Sequence, residues 1–383
     1  MTIHLNYNEK INFGAYYTPQ FLIDKVYELI EPYFSNKDVV IFDSSAGDGS
    51  FLKKDLPSIK TIANDIDEFA FDTYLSNKTF KAYNLNSLVN LKRKTFKIQE
   101  SDFLIIIGNP PYNDHTSYNK KSQKHLKFKV DDILKCRDIG ISFLRSYDKL
   151  NANLICVLHP LSYLIKESNF KMLKSFKENY RLIKGYIFNS EVFANTSKSS
   201  KFPIIIALYE KTQIGMSYDY IKNFEFIIMN HKNFSLNKYD HIGNYICKYP
   251  SKNKHSDLNL YFYSLRDINA LKRNKTFIES PIYSSSIPVN AKDLYYFCYI
   301  DTFKKYINEL PYYFGNCDIL INNDDFFKIK EYFLIYAYHT NKILKNNNNI
   351  LKYYQSFLNI SFDFSKKIID GYFYKTFNIF SAK

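Results

Sequence analysis

Five cysteines, at positions 136, 156, 247, 298 and 317, are spread through 383 residues with no CxxC pairing among them. Neither a zinc site nor a disulfide framework is indicated, no metal is expected, and a reduced cytoplasm suits the chain. There is no amino-terminal signal pattern and no run of roughly eighteen apolar residues, so secretion and membrane spanning are not expected. No internal repeat and no long linker appears. Acidic residues are also in short supply: 38 Asp and Glu stand against 52 Lys and Arg, a net charge of +14. That excess is regional. Residues 1–108 carry −2, residues 109–215 carry +9 and residues 216–383 carry +7. Richness in Lys, Asn, Ile, Tyr and Phe is what an AT-rich genome produces. Codon bias would act on the whole chain, however, so the asymmetry points to one basic side facing a phosphate backbone. A chain of this length exceeds one comfortable core, and two domains are expected.

The most informative segment is Asn109-Pro110-Pro111-Tyr112, directly after the apolar run Phe103-Leu104-Ile105-Ile106-Ile107-Gly108. Such a run reads as a strand buried on both faces. Two prolines behind an Asn end it in a rigid turn, at the sheet edge where open α/β folds place their ligands. The residue types suit a planar amine. The exocyclic amine of adenine is a poor nucleophile because its lone pair is delocalised into the ring. An Asn oxygen and a proline-fixed carbonyl can accept its two hydrogens and draw that lone pair out of conjugation. A following Tyr offers a flat face for a base.

Upstream, Val39-Val40-Ile41-Phe42 leads into Asp43-Ser44-Ser45-Ala46-Gly47-Asp48-Gly49-Ser50-Phe51, which reads as strand, glycine turn and helix start. Two acids flank the glycines and no Lys follows them, so an uncharged or cationic ligand fits better than a triphosphate; a tight turn without ligand is the alternative. The next strand, Thr61-Ile62-Ala63, ends in Asn64-Asp65-Ile66-Asp67. Asp65 is placed to meet ribose hydroxyls, while Asp67 suits a cap on a helix from Phe69 to Leu75.

Together these pieces resemble the gamma-class adenine-specific (N6) DNA methyltransferases of bacterial restriction-modification systems, over about the first 210 residues. The resemblance implies an α/β fold, a Rossmann-like class I sheet using S-adenosyl-L-methionine, followed by a C-terminal α+β target-recognition domain. Residues 1–213 would be catalytic and residues 214–383 would bind DNA. Phe13-Gly14-Ala15-Tyr16-Tyr17-Thr18-Pro19 resembles the family's first motif, in which Tyr17, Thr18 and Pro19 would hold the methionine end; Thr18 also reads as a helix N-cap with Pro19 at the first helical position. Asp43, Ser44, Ala46, Gly47, Gly49 and Phe51 match the methionine-binding loop, with Asp65 and Ile66 at the ribose. After the third strand the family carries an Asp; Asn86-Ser87-Leu88 stands there instead, leaving Asn86 and Ser87 as the cofactor's adenine contacts. Asn109, Pro110, Pro111 and Tyr112 match the catalytic loop, Asn109 also lining the cofactor.

Further along, the strand Asn153-Leu154-Ile155-Cys156-Val157-Leu158 ends at His159-Pro160, and Leu161 to Asn179 has helical spacing. His159 is read as structural, since no base is needed if the amine loses its proton after methyl transfer. Phe193, ahead of the strand Pro203–Leu208, matches the aromatic that stacks on the far face of a flipped base, with Phe202 a less favoured neighbour. Asn113 to Lys129 is polar and basic; Lys120, Lys121, Lys124 and Lys127 would clamp DNA phosphates, or the segment is an ordinary surface loop. Beyond Ile214 the strand and helix alternation fades, and Asp324 to Leu344 reads as one amphipathic helix.

The expected protein is therefore a site-specific adenine methyltransferase acting on double-stranded DNA, monomeric and cytoplasmic. It would serve with a cognate endonuclease encoded nearby or alone, being too short for an obvious nuclease domain of its own. An RNA adenine or protein glutamine methyltransferase could use the same loop, and a catalytically silent DNA-binding protein is the alternative of another class.

Overall fold

The computed structural model describes residues 18–52, 56–76, 80–112, 129–193, 201–229, 233–250, 252, 255–281, 284–315 and 317–379. The chain forms two compact units, Met1–Ser235 and Leu236–Lys383.

The first unit is built on β1 (Val39–Asp43), β2 (Lys60–Asp65), β3 (Lys81–Asn84), β4 (Phe103–Gly108), β5 (Leu154–Pro160), β6 (Tyr180–Asn189), β7 (Pro203–Lys211) and β8 (Ile227–Ile228). They lie in the order β3-β2-β1-β4-β5-β7-β6-β8. The first five are mutually parallel, while β7 runs antiparallel between β5 and β6. All five residues of β1 and all seven of β5 are buried, as a sheet covered on both faces requires. Asp43 pairs in register with Ala63 on one side and Ile107 on the other, so the ends of β1, β2 and β4 emerge together. Chain order reverses between β1 and β4, and this is where such sheets open a ligand crevice.

Helix α1 (Gln20–Ile30) buries Leu22, Ile23, Val26, Tyr27 and Ile30, one face of a 3.6-residue period. Its cap differs from the sequence reading: Pro19 is the N-cap, its carbonyl accepts from Leu22 N at 3.0 Å, and Thr18 lies outside the helix. Helix α2 (Ile139–Lys149) is capped by Asp138, which accepts from Gly140 N. Asp67 caps the short helix Glu68–Ala70, accepting from Phe69 N, and the chain continues as a wider turn over Phe71–Leu75. The single helix expected over Leu161–Asn179 is three short ones, Ser162–Ile165, Glu167–Lys171 and Ser175–Asn179, with the backbone of Lys174 left-handed before the last.

This unit runs on past the change expected after residue 213, because β8 pairs parallel with β6 and Phe226 bridges Phe234. In the second unit, β10 (Leu260–Tyr263) lies between β11 (Phe277–Ile278) and β12 (Ser286–Val289), and β9 (Asp240–His241) pairs with β13 (Leu320–Ile321). Helices α3 (Leu294–Tyr306), α4 (Lys330–Thr340) and α5 (Phe362–Phe377) meet around Tyr299. Its ring lies within 6.0 Å of those of Phe326, Phe333, Tyr372 and Phe373, and its hydroxyl donates to Leu320 O at 2.7 Å. Clustered rings thus supply much of this core. The helix expected over Asp324–Leu344 is broken into Asn323–Phe327, α4 and Lys342–Lys345, with Asn322 and Asn341 as side-chain caps.

Candidate active site

Four backbone turns define the site, and each begins at the carboxyl end of a strand. After β1 the chain turns through Gly47 (φ +53°) and Gly49 (φ +72°). At Gly49 a Cβ would also meet Leu75 at 3.1 Å and Phe80 at 3.2 Å, so only glycine lets the turn lie this close to the core. Asp65 secures the turn from the neighbouring strand: one carboxylate oxygen accepts from Gly47 N at 2.8 Å and the other from Asp67 N at 2.9 Å. Each oxygen keeps a further lone pair for a ligand. Ile66, next in the chain, is 47% exposed, an apolar surface beside that carboxylate.

Asp43 is buried at the end of β1. Its Oδ1 accepts from Ser45 N at 3.1 Å, and its Oδ2 is buried with no hydrogen-bond partner. Burial pushes its pKa up to about 8, and the carboxylates of Asp65 and Asp48 add to the effect. Burial likewise raises Asp65. Three acids gathered around a buried turn favour a cation there. The adjoining end of β4 is fitted to Asp43. Gly108 has φ +136°, and a Cβ on it would lie 2.7 Å from Asp43 Oδ1, so the strand can pass the carboxylate only as glycine. Sequence reading gave Gly108 no role; its place beside the Asn-Pro-Pro-Tyr turn is the only signal that could have marked it.

Asn109 follows at once. Its Nδ2 donates to Thr18 Oγ1 at 3.3 Å, while its Oδ1 is buried with no hydrogen-bond partner. Thr18 therefore orients the Asn rather than capping α1, leaving the amide oxygen as an acceptor that awaits a donor. Pro110 is buried, Pro111 half-buried, and Tyr112 buried with its ring edge-on to Phe202 at 6.4 Å between centroids. Phe193 is buried as well and packs on Phe188 at 6.0 Å. Phe202, the other aromatic proposed for the far face of a base, is half-buried.

The remaining sequence-derived residues divide. The Ser44 hydroxyl shares a hydrogen bond with the Tyr147 hydroxyl at 3.0 Å. Phe51 belongs to the core, its carbonyl accepting from the Tyr27 hydroxyl at 2.6 Å, and Ala46 is buried. The hydroxyl of Ser87 is used internally, donating to Ser44 O at 2.7 Å. Asn86 accepts from Leu88 N at 2.9 Å and donates to Lys129 O at 2.9 Å. His159 is buried: Nε2 pairs with the Tyr209 hydroxyl at 2.7 Å and Nδ1 with Pro160 O at 2.9 Å. Burial lowers its pKa to about 4, and it stacks on Tyr163 and Tyr209, as a structural histidine does. Tyr17, Lys120, Lys121, Lys124 and Lys127 lie outside the described residues. Among the described residues, no group of three metal-ligating side chains occurs and no helix is long and apolar enough to cross a membrane.

A five-stranded parallel sheet continued by an antiparallel β7, with an acidic glycine turn after β1 and an acid after β2, defines a class I S-adenosylmethionine-dependent methyltransferase. The cofactor fits the residues present. Its ammonium and sulfonium charges answer the acidic cluster, and the partnerless Asp43 Oδ2 is an acceptor for such a group. Residues 38–193 match the model of the Eco57I restriction-modification methylase family.

Among solved structures, the chain is similar to a candidate RNA methyltransferase from Pyrococcus horikoshii at 17% identity and a TM-score of 0.36. That alignment covers 53% of this chain and 90% of the other. It is also similar to a type I restriction-modification methyltransferase subunit from Streptococcus thermophilus, at 14% identity and a TM-score of 0.38, covering 58% and 48%. A modification subunit of a candidate type I restriction enzyme from Vibrio vulnificus YJ016 aligns at 13% identity and a TM-score of 0.40, covering 58% and 50%. The chain thus spans about half the length of the two restriction-system subunits. No curated protein matches.

Proposed function

We propose that the protein methylates the exocyclic N6 amine of an adenine swung out of double-stranded DNA. The observation that carries this reading is the partnerless, buried Oδ1 of Asn109, one strand over from the acidic cofactor turn. A planar amine entering there donates one hydrogen to Asn109 Oδ1 and the other to the Pro110 carbonyl. Both acceptors are pre-set, the first by Thr18 and the second by the proline turn, so orientation costs little when the base arrives. Tyr112 stacks on one face of the base, and Phe193 or Phe202 on the other. S-adenosyl-L-methionine, when bound, supplies the electrophilic methyl group. Asp43 holds its cationic methionine end and Asp65 its ribose. The neutral, buried His159 takes no proton from the amine.

Lys120, Lys121, Lys124 and Lys127 engage phosphates in this reading, and residues after about 214 select the site, as their +7 charge supports. The test is transfer of labelled methyl groups to unmethylated duplex DNA, with total RNA and a protein lysate alongside. Label in DNA alone is expected. Label in RNA or protein but not DNA would replace this reading with another methyltransferase, and no transfer despite tight DNA binding would leave a silent binding protein.

A further inference from the structure

Asn64, on β2 just before Asp65, is fully buried, and its amide joins three segments of the site. Its Nδ2 donates to Leu85 O at 2.9 Å and Ser87 Oγ at 2.8 Å, with Ser44 O at 3.3 Å, while its Oδ1 accepts from Leu85 N at 3.1 Å. The Ser87 hydroxyl, having accepted from Asn64, donates to Ser44 O at 2.7 Å. An Asn amide has two hydrogens to give, and the two shorter bonds take them; the hydroxyl then serves the third acceptor. The arrangement is closed, with each of these side-chain donors used.

Its position gives it consequence. Ser44 directly follows Asp43 in the turn after β1, and Leu85 to Ser87 directly follow β3. The backbone adds a parallel tie, since Ala46 N donates to Asn64 O at 2.9 Å. The loop at the methionine end and the loop at the adenine end are therefore fastened to one side chain.

We propose that Asn64 is a positioning residue that holds the two ends of the cofactor site in one register, with Ser87 as its relay rather than a cofactor ligand. The proposal rests on the S-adenosylmethionine reading above. A ligand spanning both loops depends on that register, whereas one occupying a single end does not.

The experiment is calorimetric binding of S-adenosylhomocysteine and, separately, of adenosine to the full chain, comparing wild type with Asn64→Leu and Ser87→Ala. With several hydrogen bonds removed, Asn64→Leu is expected to bind S-adenosylhomocysteine at least about tenfold more weakly while adenosine weakens by less than about threefold. Ser87→Ala, which leaves the amide in place, should show the same ordering with smaller losses, and it carries the test if Asn64→Leu does not fold. Equal binding of S-adenosylhomocysteine by wild type and variants overturns the role of Asn64, as does an equal loss for both ligands, which would indicate plain damage. A wild-type protein that fails to bind S-adenosylhomocysteine overturns the cofactor reading itself.

Discussion

Asp43 is expected to make cofactor binding proton-linked. It is 1% exposed, its Oδ2 has no hydrogen-bond partner, and burial pushes its pKa up to about 8. At pH 7 the unliganded site therefore carries Asp43 largely protonated. A ligand ammonium beside it favours the carboxylate, so its pKa falls on binding and the proton leaves. Isothermal titration of S-adenosylhomocysteine in buffers of different ionisation enthalpy should then report release of more than about half a proton at pH 7. Because only the ionised form welcomes the cation, affinity should rise by about tenfold or more between pH 6 and pH 8 and flatten at higher pH. Asp43→Asn should abolish both the release and the slope. Stability moves the opposite way. The folded pKa lies above the unfolded one, so the contribution is fully present below the usual carboxylate range and is lost as pH rises through about 8. The unliganded protein should thus melt lower at pH 8 than at pH 5, and Asp43→Asn should lessen that difference. Flat affinity with no proton release over this range would refute the reasoning, since it would mean that Asp43 is already ionised in the empty site.

Asn109→Ala should lower kcat by about a hundredfold or more, while S-adenosylhomocysteine binds within about threefold of wild type; a variant with most of its turnover would remove Asn109 from the chemistry. Gly108→Ala places a Cβ 2.7 Å from Asp43 Oδ1. Strain at that φ should cost about 1–3 kcal/mol in denaturant unfolding, with cofactor affinity falling too; unchanged unfolding and binding would show that the turn relaxes freely. His159 is held neutral, its pKa lowered to about 4. The pH profile of kcat should accordingly keep its shape in His159→Asn while the melting temperature drops, and loss of a limb near neutral pH would restore a base role to it.

Readable features were those encoded in contiguous residues. The Asn109–Tyr112 turn follows an apolar run long enough to declare a buried strand, and two prolines fix what comes next. Gly47 and Gly49 stand beside acids in one short loop. Asp67 was legible as a cap because its partner, Phe69 N, is two residues away. Long-range partners were invisible. Asn64 meets Ser44 and Leu85 only once three strands are paired, and nothing in its immediate sequence marks those partners. Thr18 reads as a cap from Thr-Pro alone; its bond to Asn109 spans 91 positions. Gly108 hid at the end of an apolar run because a φ of +136° leaves no mark in composition. The helical spacing of Leu161–Asn179 and of Asp324–Leu344 is real in part, but the left-handed Lys174 and the capping Asn341 interrupt it. Likewise, fading alternation after Ile214 concealed that Ile227–Ile228 still joins the first sheet.

The most direct test of the central claim is nucleoside analysis of unmethylated duplex DNA after incubation with S-adenosylmethionine and either wild type or Asn109→Ala. N6-methyladenine formed by the wild type and absent with the variant is the expected result. Methylation of another base, or N6-methyladenine that persists without the Asn109 amide, would contradict it.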